Sequence, residues 1–292
     1  MVDRIGPYNE VVRVVSNAMR PVADDGELLV KVLACGLAFP DVLVIEGKHM
    51  MKRAPPFSPA GEVCGTIVEI GDGVEGFAVG DKVFGAAISG GLAELTRIPS
   101  HTCYKLPEGV DPILAAGFEL NYGTSWHGIV DIAHLQAGET MLVLGASGGV
   151  GMAAIDIGRS IGANVVACAS TEAKLQACIE QGADETINYS DDDGTTFKEK
   201  LKAAGIYGDI DVVFDPVGGT LSEPAMRGLG WGGRHLVIGF AAGGDTPTDA
   251  IPKLPINLAL LNERAIQGGQ CKKKSPFGTT LECPLETVAT IH

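Results

Sequence analysis

The sequence predicts an α/β protein in two parts, a β-rich N-terminal half followed by a doubly wound parallel sheet. Three observations carry this expectation. Up to about residue 110, short apolar stretches recur between glycines and prolines, the pattern of a small barrel or sandwich. From about residue 119 the chain alternates strand-like and helix-like stretches at a spacing of roughly 24 residues, which is the period of βαβ units. Where that alternation begins, a glycine cluster joins an apolar strand to a helix.

In the first half, Glu27 to Ala34 is the first strand, closed by Cys35-Gly36. Pro40 opens a short helix over Asp41 to Glu46, and Gly47 stops it. Val63 to Ile70 is a strand ended by Gly71-Asp72-Gly73; Lys82 to Gly85 and Leu92 to Ile98 follow, with Gly90-Gly91 between them. In the second half, Thr124 to Ala133 reads as a helix. Strands are expected at 140–144, 164–168, 184–188, 210–214 and 234–238, and helices at 149–160, 171–181, 195–203 and 219–227. Such a sheet presents its ligand site at the carboxyl ends of the strands.

Composition removes several classes of partner. The formal net charge is −14 and no Lys/Arg stripe interrupts it, so nucleic acid and anionic membrane surfaces are not expected partners. No apolar run reaches the ~18 residues of a membrane span; the longest, Met141 to Ile157, is broken by glycines and contains Asp156. The first residues include Asp3, Arg4 and Glu10 and no apolar signal segment. Seven scattered cysteines without a C-x-x-C pair point to reduced thiols. The expected location is cytoplasmic, with a mitochondrial one left open. Glycine, at 40 of 292 residues, is about twice its usual ~7%, which implies many tight turns and close backbone approaches.

The strongest local motif is Met141-Leu-Val-Leu-Gly145-Ala-Ser147-Gly148-Gly149-Val150-Gly151. Glycines at these places permit a tight turn, bring backbone N–H groups to a pyrophosphate, and let the helix pack closely on the strand. The helix start adds the positive end of its dipole. The bland alternative is a glycine turn without ligand, but the strand before it and the βαβ series after it favour a Rossmann dinucleotide site. An NAD site usually ends its second strand with Asp or Glu, and here the strand ends in Ala169-Ser170. Ser170, with Lys174 one turn further on, suits an additional phosphate. Against this stand an N-cap role for Ser170, a merely solvated Lys174, and the charge of Glu172. The balance favours NADP over NAD.

Several stretches extend the picture: Ala34-Cys-Gly-Leu-Ala-Phe-Pro-Asp41, Ala60-Gly-Glu-Val-Cys-Gly65, Asn121-Tyr-Gly-Thr124, Gly145 to Gly151, Asp215-Pro-Val-Gly-Gly219 and Gly239-Phe240. In this order, over about residues 10 to 268, they resemble the zinc-independent medium-chain dehydrogenases/reductases, specifically the quinone oxidoreductases. The resemblance implies a GroES-like catalytic domain over 1–116 and a Rossmann domain over 117–268, with NADPH in the cleft between. It also implies a quinone or α,β-unsaturated carbonyl as substrate, and a homodimer if the fold is complete. By the same resemblance Thr124 sits beside the nicotinamide carboxamide, Val217 and Gly239-Phe240 lie on loops at the cofactor, and Tyr189 lies near the adenosine phosphate. Thr124 equally fits a helix N-cap, and Tyr189 a half-buried strand end.

Zinc-dependent relatives carry a cysteine and a histidine as ligands around Ala38 and Gly61, and neither residue here binds metal; a zinc site needs three or four such ligands. Cys35 and Cys64 read as small core residues. With no metal expected, hydride transfer rests on the cofactor, and the oxyanion that develops needs a donor. Tyr122 and Thr124 are the candidates, and Asp41 matches the catalytic-domain motif while also fitting dipole compensation at a helix start. Ala38 replaces an Asn common in the family, which leaves substrate preference open. The resemblance stops near Gly268, so residues 269–292 read as a divergent, poorly packed tail, and the N-terminus reads as shortened. Two functional classes follow: an NADPH-dependent reductase, or a catalytically weak NADP(H)-binding protein that acts by association.

Overall fold

The computed structural model describes residues 1–292 apart from 50, 51, 88, 191–193, 243–250 and 270–292. The chain divides into two compact units, one holding Met1–Leu120 and one beginning at Asn121.

The first unit contains α1 (Tyr8–Val11), β1 (Glu27–Gly36), α2 (Phe39–Ile45), β2 (Glu62–Ile70), β3 (Lys82–Ala86), β4 (Leu95–Pro99), β5 (Cys103–Lys105) and α3 (Pro112–Ala115). The strands form one sheet in the order β4-β1-β2-β3-β5, and every neighbouring pair is antiparallel. Alternate residues turn inward, so Leu28, Val30, Val63, Ile67, Val83, Ile98 and Cys103 form its core. A second cluster of Val2, Val11, Ile45 and Phe57 ties α1 and α2 together. The strand expected from Leu92 begins at Leu95. The sequence does not announce β5, α1 or α3, because elements of three or four residues show no period.

The second unit contains a helical run with α4 (Thr124–Trp126) inside it. Next come β6 (Thr140–Val143), α5 (Gly149–Ile161), β7 (Asn164–Ala169), α6 (Glu172–Gln181), β8 (Glu185–Asn188) and α7 (Phe197–Ala203). They are followed by β9 (Ile210–Asp215), α8 (Ser222–Gly228), β10 (Leu229–Val237), α9 (Asn257–Leu261) and β11 (Ala265–Gly268). The sheet order is β11-β10-β9-β6-β7-β8, parallel throughout. The order reverses between β6 and β9, and such a reversal opens a crevice at the carboxyl ends of the strands. Both faces are covered. Met141, Val143, Val165, Phe214 and Leu236 lie in one core cluster; Leu142, Leu144, Val166 and Val213 lie in the other. This is why these strands read as unbroken apolar runs.

The helix expected from Thr124 begins earlier and is wound differently. Wide π turns at Glu119–Gly123 and His127–Ile132 flank α4. Gly128 lets this run lie close to the sheet, since a Cβ there would meet Ile238 Cδ1 at 3.0 Å. β10 starts at Leu229 rather than near 234, with a register irregularity before Arg234. α9 and β11 are too short to be anticipated from periodicity. The expected poorly packed tail lies outside the described residues, Gly269 excepted.

Candidate functional site: the carboxyl edge of the parallel sheet

The second unit gathers the sequence-predicted residues Gly145, Ser170, Tyr189, Val217 and Gly239 at the carboxyl ends of β6 to β10. At the end of β6 the chain turns through Gly145 with φ +56°, a region that suits glycine. Val217 packs against this turn, since a Cβ on Gly145 would fall 2.6 Å from Val217 Cγ2. Gly148 then stands at the N-cap of the 13-residue α5 with no side-chain cap, and Gly148 and Gly149 are exposed. The first N–H groups of α5 have no intrahelical acceptor and lie at the positive end of its dipole. A Cβ on Gly151 would come 2.5 Å from the Ala146 carbonyl oxygen, so α5 meets the turn at backbone contact. Ser147 is half-buried on the turn, and the Val150 carbonyl accepts a hydrogen bond from Ser125 Oγ at 2.8 Å. This cradle, open at its backbone donors and closed to side chains, fits a nucleotide pyrophosphate.

At the ends of β7 and β8 three predicted residues meet. Lys174 Nζ donates to Ser170 Oγ at 3.2 Å. Tyr189 also hydrogen-bonds Ser170, while burial holds its phenol above the ordinary value. The N-cap role considered for Ser170 belongs to Thr171, whose Oγ1 accepts the Lys174 N–H at 3.4 Å. Ser170 is therefore not consumed by capping. Glu172, the charge set against a phosphate, accepts from Asn188 Nδ2 at 3.1 Å.

The loops after β9 and β10 are laced together. Ile238 N donates to Asp215 O at 2.8 Å and Ala242 N to Val217 O at 2.8 Å, which seats Gly239 and the exposed Phe240 beside Pro216 and Val217. The buried Asp215 carboxylate organises this region. Its Oδ1 accepts the Val217 and Gly218 N–H groups at 2.9 and 2.8 Å, and its Oδ2 accepts from Ser222 Oγ at 2.5 Å and His235 Nε2 at 3.0 Å. Burial alone would raise its pKa, yet the hydrogen bond and charge of His235, with Gly218 and Ser222, hold it below the ordinary value. Asp215 is visible in the sequence as a motif residue; its partners, distant along the chain, are not.

The expected donors behave differently. Tyr122 donates its O–H to Asp156 Oδ2 at 3.0 Å. Thr124 is no N-cap, because Gly123 before it is already helical at φ −62°, ψ −44°. It is half-buried inside the helical run.

The first unit has its own polar set. Asp41, expected as a catalytic residue, accepts the Ala38 N–H at 2.8 Å and so fastens the start of α2. Burial raises its carboxyl above the usual range. Cys35 and Cys64 are both pushed up to about 11 by burial, so they stay thiols and pack as core residues. Glu62 and Glu119 are each pushed up to about 7, chiefly by burial. No local pattern marks this pair, which depends on β2 meeting Glu119 and Leu120 at the end of the first unit. Among the described residues, no group of three or more His, Cys, Asp or Glu is arranged to hold a metal ion.

An antiparallel β unit followed by a parallel nucleotide-type sheet, with a glycine cradle at the switch point, defines a medium-chain dehydrogenase/reductase. Comparison with known proteins agrees. Residues 24–108 match the alcohol dehydrogenase GroES-like domain, and residues 149–283 match the family described as zinc-binding dehydrogenase. A quinone oxidoreductase of Pongo abelii is 34% identical over 231 residues, 79% of this chain and 69% of that protein. A quinone oxidoreductase-like protein 2 of Bos taurus is 34% identical over 250 residues, 85% of this chain and 69% of that protein. The quinone oxidoreductase structure from Thermus thermophilus, determined alone and with NADPH, is 29% identical. It superposes with a TM-score of 0.71 over 88% of this chain and 76% of that one. The chain belongs to the quinone oxidoreductase family.

Proposed function

We propose that the protein transfers hydride from NADPH to a quinone or α,β-unsaturated carbonyl, without a metal. The observation that carries the choice of cofactor is the Ser170–Lys174–Tyr189 cluster at the end of β7, with no carboxylate at the strand terminus. A hydroxyl, a phenol and an ammonium group offer three donors to a 2′-phosphate, where an NAD site would offer a carboxylate to a 2′-hydroxyl. The family's quinone oxidoreductases, and the Thermus structure's complex with NADPH, support the same reading.

In this reading residues 117–268 form the nucleotide-binding domain and 1–116 the catalytic domain. Gly145, Ser147, Gly148, Gly149, Val150 and Gly151 receive the pyrophosphate on backbone N–H groups. Val217, Gly239 and Phe240 border the nicotinamide half of the site, and Thr124 offers its hydroxyl to the carboxamide or to a developing oxyanion. When bound, NADPH supplies the hydride; the chain's own work is to orient it and exclude water. Because Tyr122 is engaged by Asp156 and Asp41 by Ala38, neither is assigned proton transfer. Ala38 and Gly61, where zinc-dependent relatives carry ligands, motivate metal independence. The homodimer implied by the family belongs to the same proposal.

The test is a titration of NADPH and NADH against the parent protein and Lys174→Ala. One lost contact to phosphate at an exposed site is worth roughly 0.5–1.5 kcal/mol, about 2- to 10-fold in Kd. Weakened NADPH binding with NADH binding unchanged is expected. Equal losses for both nucleotides would remove Lys174 from the 2′-phosphate.

A further inference from the structure

We infer that His235 is a positioning residue for the nucleotide site, acting through Asp215 on the Val217–Gly218 turn. The inference rests on the NADP(H) reading above and adds a part that the glycine motif does not contain. His235 lies toward the carboxyl end of β10, fully buried, opposite Val213 of β9 and Ile266 of β11. A polar ring in that position is costly unless it is hydrogen-bonded. Here Nε2 meets Asp215 Oδ2 at 3.0 Å, and Nδ1 has no partner among the described residues. The ring therefore leaves one nitrogen unsatisfied in order to keep one contact, which a packing residue would not require.

That contact controls a small lever. Asp215 divides its two oxygens between two jobs. Oδ2 is held from the core by His235 Nε2 and Ser222 Oγ, and Oδ1 grips the N–H groups of Val217 and Gly218. Gly218 sits at φ +73°, so the turn that follows is tight. Val217 is the side chain that closes on Gly145. Fixing the carboxylate plane from the core side thus fixes Val217 against the phosphate turn. Without His235, a buried carboxylate would keep only three donors and could rotate, releasing the two turn amides.

The experiment uses the full chain with His235→Leu, His235→Gln and Ser222→Ala. Three readouts are taken: Kd for NADPH, hydrogen exchange at the Val217 and Gly218 amides without nucleotide, and Tm. Gln keeps an N–H donor of similar reach, whereas Leu does not. His235→Leu should weaken NADPH about tenfold, the scale of a hydrogen bond to a charged group, and speed exchange at both amides. NADH should weaken by the same factor, because the turn does not face the 2′-phosphate cluster. His235→Gln should restore affinity to within about threefold of the parent. A lowered Tm with unchanged Kd and unchanged exchange in folded His235→Leu would overturn the inference, as would failure of Gln to rescue. If His235→Leu does not fold, Ser222→Ala carries the same expectation and the same refutation, since it removes a donor from the same oxygen. If the parent itself fails to bind NADPH, the cofactor reading falls, and the amide exchange still decides whether His235 holds the turn.

Discussion

Replacing Glu119 by Gln should stabilise the protein above neutral pH and flatten its dependence on pH. Glu62 and Glu119 are both largely buried in the first unit. Glu62 Oε1 accepts the Leu120 N–H at 3.1 Å. Glu119 accepts from the Ala86 backbone, but its Oε2 is buried with no partner among the described residues. Burial is the main cause that pushes each carboxyl up to about 7, and the Glu119 charge raises Glu62 further. In the unfolded chain a glutamate titrates near ~4.3, so the folded state binds these protons more tightly. Their contribution to stability is therefore complete below the unfolded value and is lost as pH rises through about 7. At about 1.4 kcal/mol per pKa unit, the ionised form of one such group costs on the order of 3 kcal/mol. Glu119→Gln removes that cost and eases Glu62, while leaving an amide N–H that lacks a full set of partners at about 1–2 kcal/mol. A net gain of about 1–2 kcal/mol near pH 8, vanishing near pH 5, is the outcome. Urea unfolding of both proteins across that range measures it. A parent whose stability climbs through this range would contradict the burial of these two carboxyls, as would a variant whose difference from the parent does not change with pH.

Other changes test other parts. Gly151→Ala should cost nucleotide binding at least tenfold, since its Cβ would lie 2.5 Å from the Ala146 carbonyl and must push α5 away; unchanged binding would show that the cradle is not used. Tyr122→Phe should lower stability by about 1 kcal/mol through loss of the bond to Asp156, with kcat nearly unchanged; a large fall in kcat with intact stability would return Tyr122 to the chemistry. Phe214→Ala, fully buried in β9, should destabilise by about 3–5 kcal/mol, read by urea unfolding, and a loss below about 1 kcal/mol would mean the strand core is looser than its burial implies. Prolonged chelation should leave NADPH oxidation intact, and stoichiometric zinc whose removal abolishes activity would overturn metal independence.

The alternation of the second half is legible in the sequence because a sheet buried on both faces must be apolar without interruption, as at Met141 to Leu144 and Val212 to Phe214. Gly145 to Gly151 is legible because backbone contact leaves no room for a Cβ. The cluster of Ser170, Lys174 and Tyr189 is half-legible: Ser170 just before α6 and Lys174 in its first turn are four residues apart in the chain, but Tyr189 joins them only through the parallel pairing of β7 with β8. What stays hidden depends on contacts far apart in the chain. Asp215 with His235, Glu62 with Glu119, and Tyr122 with Asp156 each join residues from different elements; Asp215 and Tyr122 stand in recognisable motifs, but nothing local marks the partner each one meets. The π turns around Thr124 are hidden for another reason, since their periodicity differs from the ordinary helical pattern, which the sequence carries only from Thr124 onward.

An NADPH-dependent reductase that works without metal must turn over when every metal has been stripped from it. The decisive measurement follows NADPH oxidation by chelator-treated protein with a simple quinone, beside the Kd for NADPH on the same sample. Saturable turnover with NADPH, exceeding turnover with NADH at equal concentration, is the expected result. Tight NADPH binding with no oxidation of the bound nucleotide would contradict it and select the catalytically weak binding protein instead.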